Sequence, residues 1–251
     1  MRVLRPEGSI FYLYGLLTFA RYLGAWSHLG WAWNVPPSST SRISPSAELI
    51  ESSVTFLYGA TNMWMERFGA EPGSPYTGKQ IQHISIAVMF FFGGILGIAL
   101  ELGSRKTKSP SLKERHLAMY QGSLNPFTAL CIGITGVAMA AHHQTYVFQV
   151  CENTPSKPIP LKDAPLSQVQ IHSLWGGLLA LHTLTRCMTY ILLWLRPPTS
   201  TTPSRPPTEI LASFTLTAGG IAFISSTEQI GFWAMRTGRG EYYLTDHCPI
   251  R

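Results

Sequence analysis

The chain alternates long apolar runs with short polar connections. Six of the runs are long enough to supply the roughly 20 helical residues that cross a bilayer core of about 30 Å. They run from Ser9 to Asn34, Glu48 to Phe68, Lys79 to Gly103, Asn125 to Val150, Val169 to Leu195 and Thr208 to Met235. The connections "NVPPSSTSRISPS", "GAEPGSPYTG" and "RPPTSTTPSRPP" are dense in proline, glycine and serine, which end helices and cannot build a core. No soluble domain stands out between them. The pattern predicts an all-α fold, a polytopic membrane bundle of about six transmembrane helices, in a single transmembrane domain over residues 1–251.

Helical spacing separates the faces of these segments, because positions three, four or seven apart share a side. Glu51, Thr55, Tyr58, Asn62 and Glu66 form one stripe on the second segment. On the third, His83 and Glu101 lie about five turns apart, with Gly94 and Gly97 along the same line. On the fifth, His172, Trp175, Leu179, His182 and Arg186 fall within about 80° of one another. The sixth offers Thr217, Ile221 and Glu228. Ionisable groups inside spans cost about 2.5 to 3.5 kcal/mol each, so they face the bundle interior and a partner. The expected bundle is therefore polar inside and apolar outside, with glycines allowing helices to approach closely.

Composition agrees with a membrane class. Hydrophobic residues make up 45% of the chain and charged residues only 13%, against about 25% in a typical soluble domain. Mean hydropathy is held to +0.11 by the polar loops. Much of the net charge of +6 lies in "SRKTKSPSLKER" and "RPPTSTTPSRPP", which do not interleave aromatics with their basic residues. That excludes a nucleic-acid footprint and leaves the lipid bilayer as the expected partner. Lysines and arginines occur on both faces, so charge bias assigns no orientation. Arg2 and Arg5 precede an apolar run, but Arg21 interrupts it and no small-residue cleavage site follows, so no signal peptide is expected. Cys131 and Cys187 read as small core residues. Cys151 and Cys248 fall in loops on one face, where a disulfide requires a lumenal or extracellular side.

Alternating direction brings the start of span three, the end of span four and the start of span five to one side. That side collects His83, His142 or His143, and His172, with Asn62, Glu66 and Glu228 at the same level. Adjacent His142 and His143 differ by about 100°, so one of them points inward. His182 lies about 15 Å deeper than His172. Haem b is one reading, since imidazoles on facing helices ligate iron within a helical bundle, His83 with His142 or His172 forming the pair. Zinc is another, three histidines with Glu228 or Glu66 holding a water for hydrolysis, although no compact HExxH motif accompanies it. A third is packing, in which histidines at a membrane edge bond headgroups or neighbouring helices. Transport of a small solute or ion through the polar interior is the fourth, and there Glu51, Asn62, Glu66 and Arg186 matter more than the histidines.

The stretches "FLYGATNMWMERFG", "KQIQHISIAVMFFFGGILG", "NPFTALCIGITGVAMAAHHQTYVFQ", "VQIHSLWG" and "RPPTEILASFTLTAGGIAFISSTEQ" resemble the C-terminal module of the fungal integral-membrane proteins named after the yeast putative transmembrane protein. The resemblance covers nearly the whole chain. It implies a multi-span helical membrane protein of fungal origin, in a family of uncharacterised activity. It supplies no role for His83, His142, His143, His172 or Glu228. It also implies that longer members carry a further membrane region ahead of this module, which this chain is expected to lack.

One stretch departs from that pattern. Members run from "YVFQ" directly into "VQIH", whereas here "VCENTPSKPIPLKDAPLSQ", residues 150–168, intervenes. Val-Cys is encodable by a donor-like GTATGT and the closing Gln by an acceptor-like CAG, and the stretch keeps the reading frame. It is therefore read as a retained intron, with a proline-rich inserted loop as the alternative.

Overall fold

The computed structural model describes residues 7–32, 45–68, 71, 73–107, 124–140, 166–197 and 205–226. Among these residues the chain forms six α-helices and no strand: α1 (Glu7–Tyr22), α2 (Ala47–Met65), α3 (Gly78–Thr107), α4 (Phe127–Ala140), α5 (Leu166–Leu195) and α6 (Thr208–Ser225). The all-α bundle is thus observed. Three helices carry stretches long and apolar enough to cross a membrane, Gln80–Ser104, His172–Leu195 and Thr208–Ser225, and Phe127–Ala140 is a shorter apolar helix.

Local chemistry sets the helix ends. The Ser46 hydroxyl accepts from the Leu49 amide at 3.2 Å and caps α2, whose first turn carries Glu48 against the positive end of the helix dipole. Pro206 and Pro207 stop the preceding loop just before α6, where a proline's missing N–H costs nothing. Helix α1 ends well short of Asn34. Gly24 and Trp26 adopt positive φ, at 98° and 59°, and turn the chain into a short 3-10 turn over Ser27–Leu29.

Neighbours in the bundle are α2 with α3, α3 with α4, α4 with α5, α5 with α6 and α6 with α1. The closest seams are made by reciprocal glycines. Gly59 of α2 lies against the Phe91 and Ala87 backbone of α3, while Gly94 of α3 lies against Phe56 of α2. Gly136 of α4 and Gly176 of α5 face each other's carbonyl oxygens, with no room for a Cβ on either. In contrast, α1 and α2 do not approach closely; side-chain charges join them.

The outward faces are apolar, with Leu13, Val54, Leu57, Phe92, Val137, Leu184, Ile191 and Phe214 all exposed. Buried positions include Thr18, Ser52, Thr55, Thr135, Thr185, Thr189, Ser213 and Thr215. Many of these hydroxyls bond back to carbonyls of their own helix, as Thr189 does to Thr185 at 2.9 Å and Thr135 to Cys131 at 2.8 Å. An apolar plug of Phe11, Phe90, Ile132, Trp175, Leu179 and Leu216 fills the centre, and Trp175 stacks on Phe223 at 4.3 Å between ring centroids.

Candidate functional site

Three arginines and three glutamates meet at one end of the bundle. Arg21, in the last turn of α1, donates from Nη2 to Glu48 Oε1 at 2.9 Å and from Nη1 to Glu51 Oε1, both on α2. Its Nε donates to the Trp31 carbonyl at 3.0 Å, which fixes the turn after α1. Arg186 of α5 donates from Nη1 to Glu209 Oε1 of α6 at 2.9 Å and from Nε to the Tyr190 hydroxyl at 3.1 Å. Arg205 reaches the same Glu209 oxygen at 3.0 Å. Across the bundle, Arg186 Nη2 lies 3.9 Å from Glu51 Oε2 and so joins the two groups.

These charges are inside the protein. Arg21, Arg186 and Glu209 are each 2% exposed. Trp194, 72% exposed near the end of α5, is an aromatic of the kind that marks a membrane–water boundary, and Arg186 lies about 12 Å inward of it along the helix. The alternation of helices explains the meeting: the ends of α1 and α5 and the starts of α2 and α6 share a side.

Glu101 and several uncharged polar groups extend the network. Glu101, near the end of α3, accepts from the Ser46 hydroxyl at 2.9 Å and from Asn125 Nδ2 at 3.4 Å. Asn125 also donates to Ser52 Oγ at 3.0 Å and to the Gly97 carbonyl at 3.2 Å, tying α4 to α2 and α3. Thr55 and Thr128 meet at 3.2 Å, and Thr189 and Thr208 at 2.7 Å. His182 Nδ1 bonds the Ala212 carbonyl at 2.8 Å, a packing contact deep between α5 and α6.

At the opposite end, His83 Nδ1 of α3 meets Glu66 Oε1, the residue just after α2, at 2.6 Å. Both are part-buried. The His172 ring lies 5.7 Å from the Trp175 ring. Asn62 is occupied on its own helix, donating to the Tyr58 carbonyl at 2.9 Å. Among the described residues no group of three His, Cys, Asp or Glu is placed to hold a metal ion. His142, His143 and Glu228, the other candidate ligands, lie outside the described residues, as do Cys151, Cys248 and residues 150–165.

The sequence stripes locate Glu51 and Arg186 but not the set they belong to. Arg21 reads as an interruption of its span and Arg205 as a loop charge, while Glu48 enters only as a span boundary and Glu209 is not singled out. The signal that unites them is the same alternation that gathers the histidines, applied to the other side. Of the sixth-span stripe, Ile221 is half exposed, Thr217 is half-buried against Gly15 of α1, and Glu228 lies outside the described residues, so the stripe is not the most buried face. That face is Glu209, Ala212, Ser213, Leu216, Gly219 and Gly220.

All six helices fall within the segments recognised by a known family. The model "Protein YTP1-like, C-terminal" matches residues 7–152 and 163–245. This chain belongs to the YTP1-like C-terminal family. The interruption at 153–162 falls inside the departing stretch 150–168. The uncharacterized membrane protein C3B8.06 of Schizosaccharomyces pombe is 37% identical over 245 residues, covering 89% of this chain and 43% of that protein. The uncharacterized membrane protein YCR061W of Saccharomyces cerevisiae is 32% identical over 243 residues, covering 89% of this chain and 35% of its own length. The chain thus spans less than half the length of these curated relatives. No solved structure matches it. With membrane proteins as relatives and apolar outward faces, this YTP1-like chain is a multi-pass integral membrane protein.

Proposed function

We propose that the bundle is the permeation core of a small-solute or ion transporter, with the Arg–Glu network closing one end of an interior whose centre is plugged by apolar side chains in this arrangement. The observation that carries this reading is Arg186. It is bonded to Glu209 on α6 and lies within ion-pair distance of Glu51 on α2, helices that are not among the main packing pairs of the bundle. Buried ion pairs add little to stability compared with well-packed apolar residues, because desolvation offsets their attraction. For stability alone, a static scaffold gains little from six such charges. A gate gains from them, since each pair is a discrete contact that forms in one arrangement and breaks in another. The test is two-sided access. In a chain with its native cysteines replaced, Thr55→Cys sits on the interior face of α2. A membrane-impermeant maleimide is expected to label it from each side of the membrane in turn; protection from both sides contradicts transport.

A second reading has its own observation. Metal-ligating histidines commonly give their other ring N–H to a carboxylate, which orients the ring. His83 has that partner in Glu66, leaving Nε2 as the ligating atom. His172, with His142 or His143, and Glu228 would complete a haem or zinc site, and such a metal would supply redox or Lewis-acid chemistry there. Stoichiometric iron or zinc in purified protein, lost in His83→Ala, tests it.

A further inference from the structure

Two helix pairs in different parts of the bundle pack alike, residue for residue. Gly15 of α1 lies against the backbone N and Cα of Thr217 on α6, and Gly59 of α2 lies against the same atoms of Phe91 on α3. In return, Gly220 of α6 sits on the N and Cα of Tyr12, and Gly94 of α3 on those of Phe56. A shift of 44 takes 12 and 15 to 56 and 59, and a shift of 126 takes 91 and 94 to 217 and 220. The sequence echoes itself at those shifts. "EGSIFYLYG" (Glu7–Gly15) and "ESSVTFLYG" (Glu51–Gly59) share five of nine residues, and "GGILGI" (Gly93–Ile98) and "GGIAFI" (Gly219–Ile224) share four of six. Burial repeats as well. Leu13 and Leu57 are exposed while Phe11 and Thr55 are buried, and Ile95 and Ile221 are exposed while Phe90 and Leu216 are buried.

Neighbouring helices run in opposite directions, the end of α1 meeting the start of α2 through Arg21 and Glu48, so one pair is inverted relative to the other. The α4–α5 crossing completes the relation. Gly136 faces the Gly176 carbonyl and the Ala180 amide, while Gly176 faces the Gly136 carbonyl and Ala140, the reciprocity that a two-fold axis generates. Helices α1, α6 and α5 are thereby matched to α2, α3 and α4, in packing and not in chain order.

We propose that these are the two inverted halves of an alternating-access device, and that Glu66–His83 is its second gate, the counterpart of Arg186–Glu209. This rests on the transport reading and supplies the gate at the opposite end. The shift of 126 takes His83 to Glu209, so these two residues hold equivalent places at opposite ends of the bundle. Each is tied to another helix: Glu209 to Arg186 of α5 at 2.9 Å, and His83 to Glu66 just after α2 at 2.6 Å. Inverted halves make the two ends interchangeable. For any arrangement open at one end, exchanging the conformations of the halves gives one of similar packing open at the other. Here both contacts are made, with the apolar plug of Phe11, Phe90, Trp175, Leu179 and Leu216 between them.

The test breaks each gate in turn. The full chain, carrying Thr55→Cys with its native cysteines replaced, is labelled in sealed vesicles with a membrane-impermeant maleimide. A broken gate holds its own end open, so labelling from the far side is lost. Arg186→Met with Glu209→Met, and separately Glu66→Gln with His83→Gln, are therefore expected to lose labelling from opposite sides of the membrane. If the second double variant does not fold, Glu66→Gln alone is expected to act in the same direction. Loss from the same side in both variants, or unchanged labelling of the folded Glu66–His83 variants, overturns the second gate. The parent separates this from the reading it rests on. A parent labelled from both sides upholds transport whatever the Glu66 variants do; a parent protected from both sides refutes transport and the paired gates with it.

Discussion

Arg186 Nη1 donates to Glu209 Oε1 at 2.9 Å, and through this contact the end of α5 is fastened to the start of α6 inside the bundle. The same guanidinium faces Glu51, so one residue links three helices.

Removing one member of this pair strands the other. Arg186→Ala leaves Glu209 with Arg205 alone and is expected to lower stability by about 3–5 kcal/mol, the range for a broken buried pair. Thermal unfolding in detergent, followed by tryptophan fluorescence, checks the direction, and Glu209→Gln is expected to fall in the same range.

The glycine seams make a separate prediction. Gly136→Val and Gly176→Val each place side-chain atoms against the facing backbone and are expected to destabilise by about 1–3 kcal/mol, or more where α4 and α5 cannot separate. Gly177→Ala, with nothing within 4 Å of its Cβ, is the control and is expected to be neutral or slightly stabilising. Equal losses at 136 and 177 contradict the seam.

At the opposite end, the Glu66–His83 pair gives the metal reading a graded test. Near-stoichiometric iron or zinc is expected in the wild-type chain. Glu66→Gln should weaken metal affinity about 10–100-fold, as loss of such an orienting partner does. Metal-free protein that is folded and gently purified would leave the pair as a tie between α2 and α3.

The stretch 150–168 is open to direct reading. A retained intron predicts transcripts that join the Gln149 codon to the Val169 codon. Transcripts that uniformly carry the nineteen intervening codons would establish an inserted loop.

Much of the bundle is legible in the sequence because bilayer length and apolar runs decide it. The inward stripe of His172, Trp175, Leu179, His182 and Arg186 follows from spacing alone; the last four are buried and His172 is half-buried. Partners are less legible. Glu101 shares a helical line with His83, yet Ser46 and Asn125 hold it at the other end of the bundle. Helical spacing says which face a residue occupies; it does not say which neighbouring helix covers that face. Arg21 illustrates the cost: a charge that weakens the case for its own span is the residue that joins α1 to α2. The end of α1 is not legible in the sequence for a local reason, since it is set by the positive-φ backbone at Gly24 and Trp26.

The most direct test separates a working gate from buried charge without a function. Arg186→Met with Glu209→Met replaces the pair by apolar side chains, a change that preserves stability in other buried pairs. In a Thr55→Cys background the double variant is expected to stay folded by circular dichroism and size exclusion, yet to lose maleimide labelling from one side of the membrane. A folded double variant labelled from both sides as readily as its parent would contradict the assignment of the Arg186–Glu209 pair as the gate.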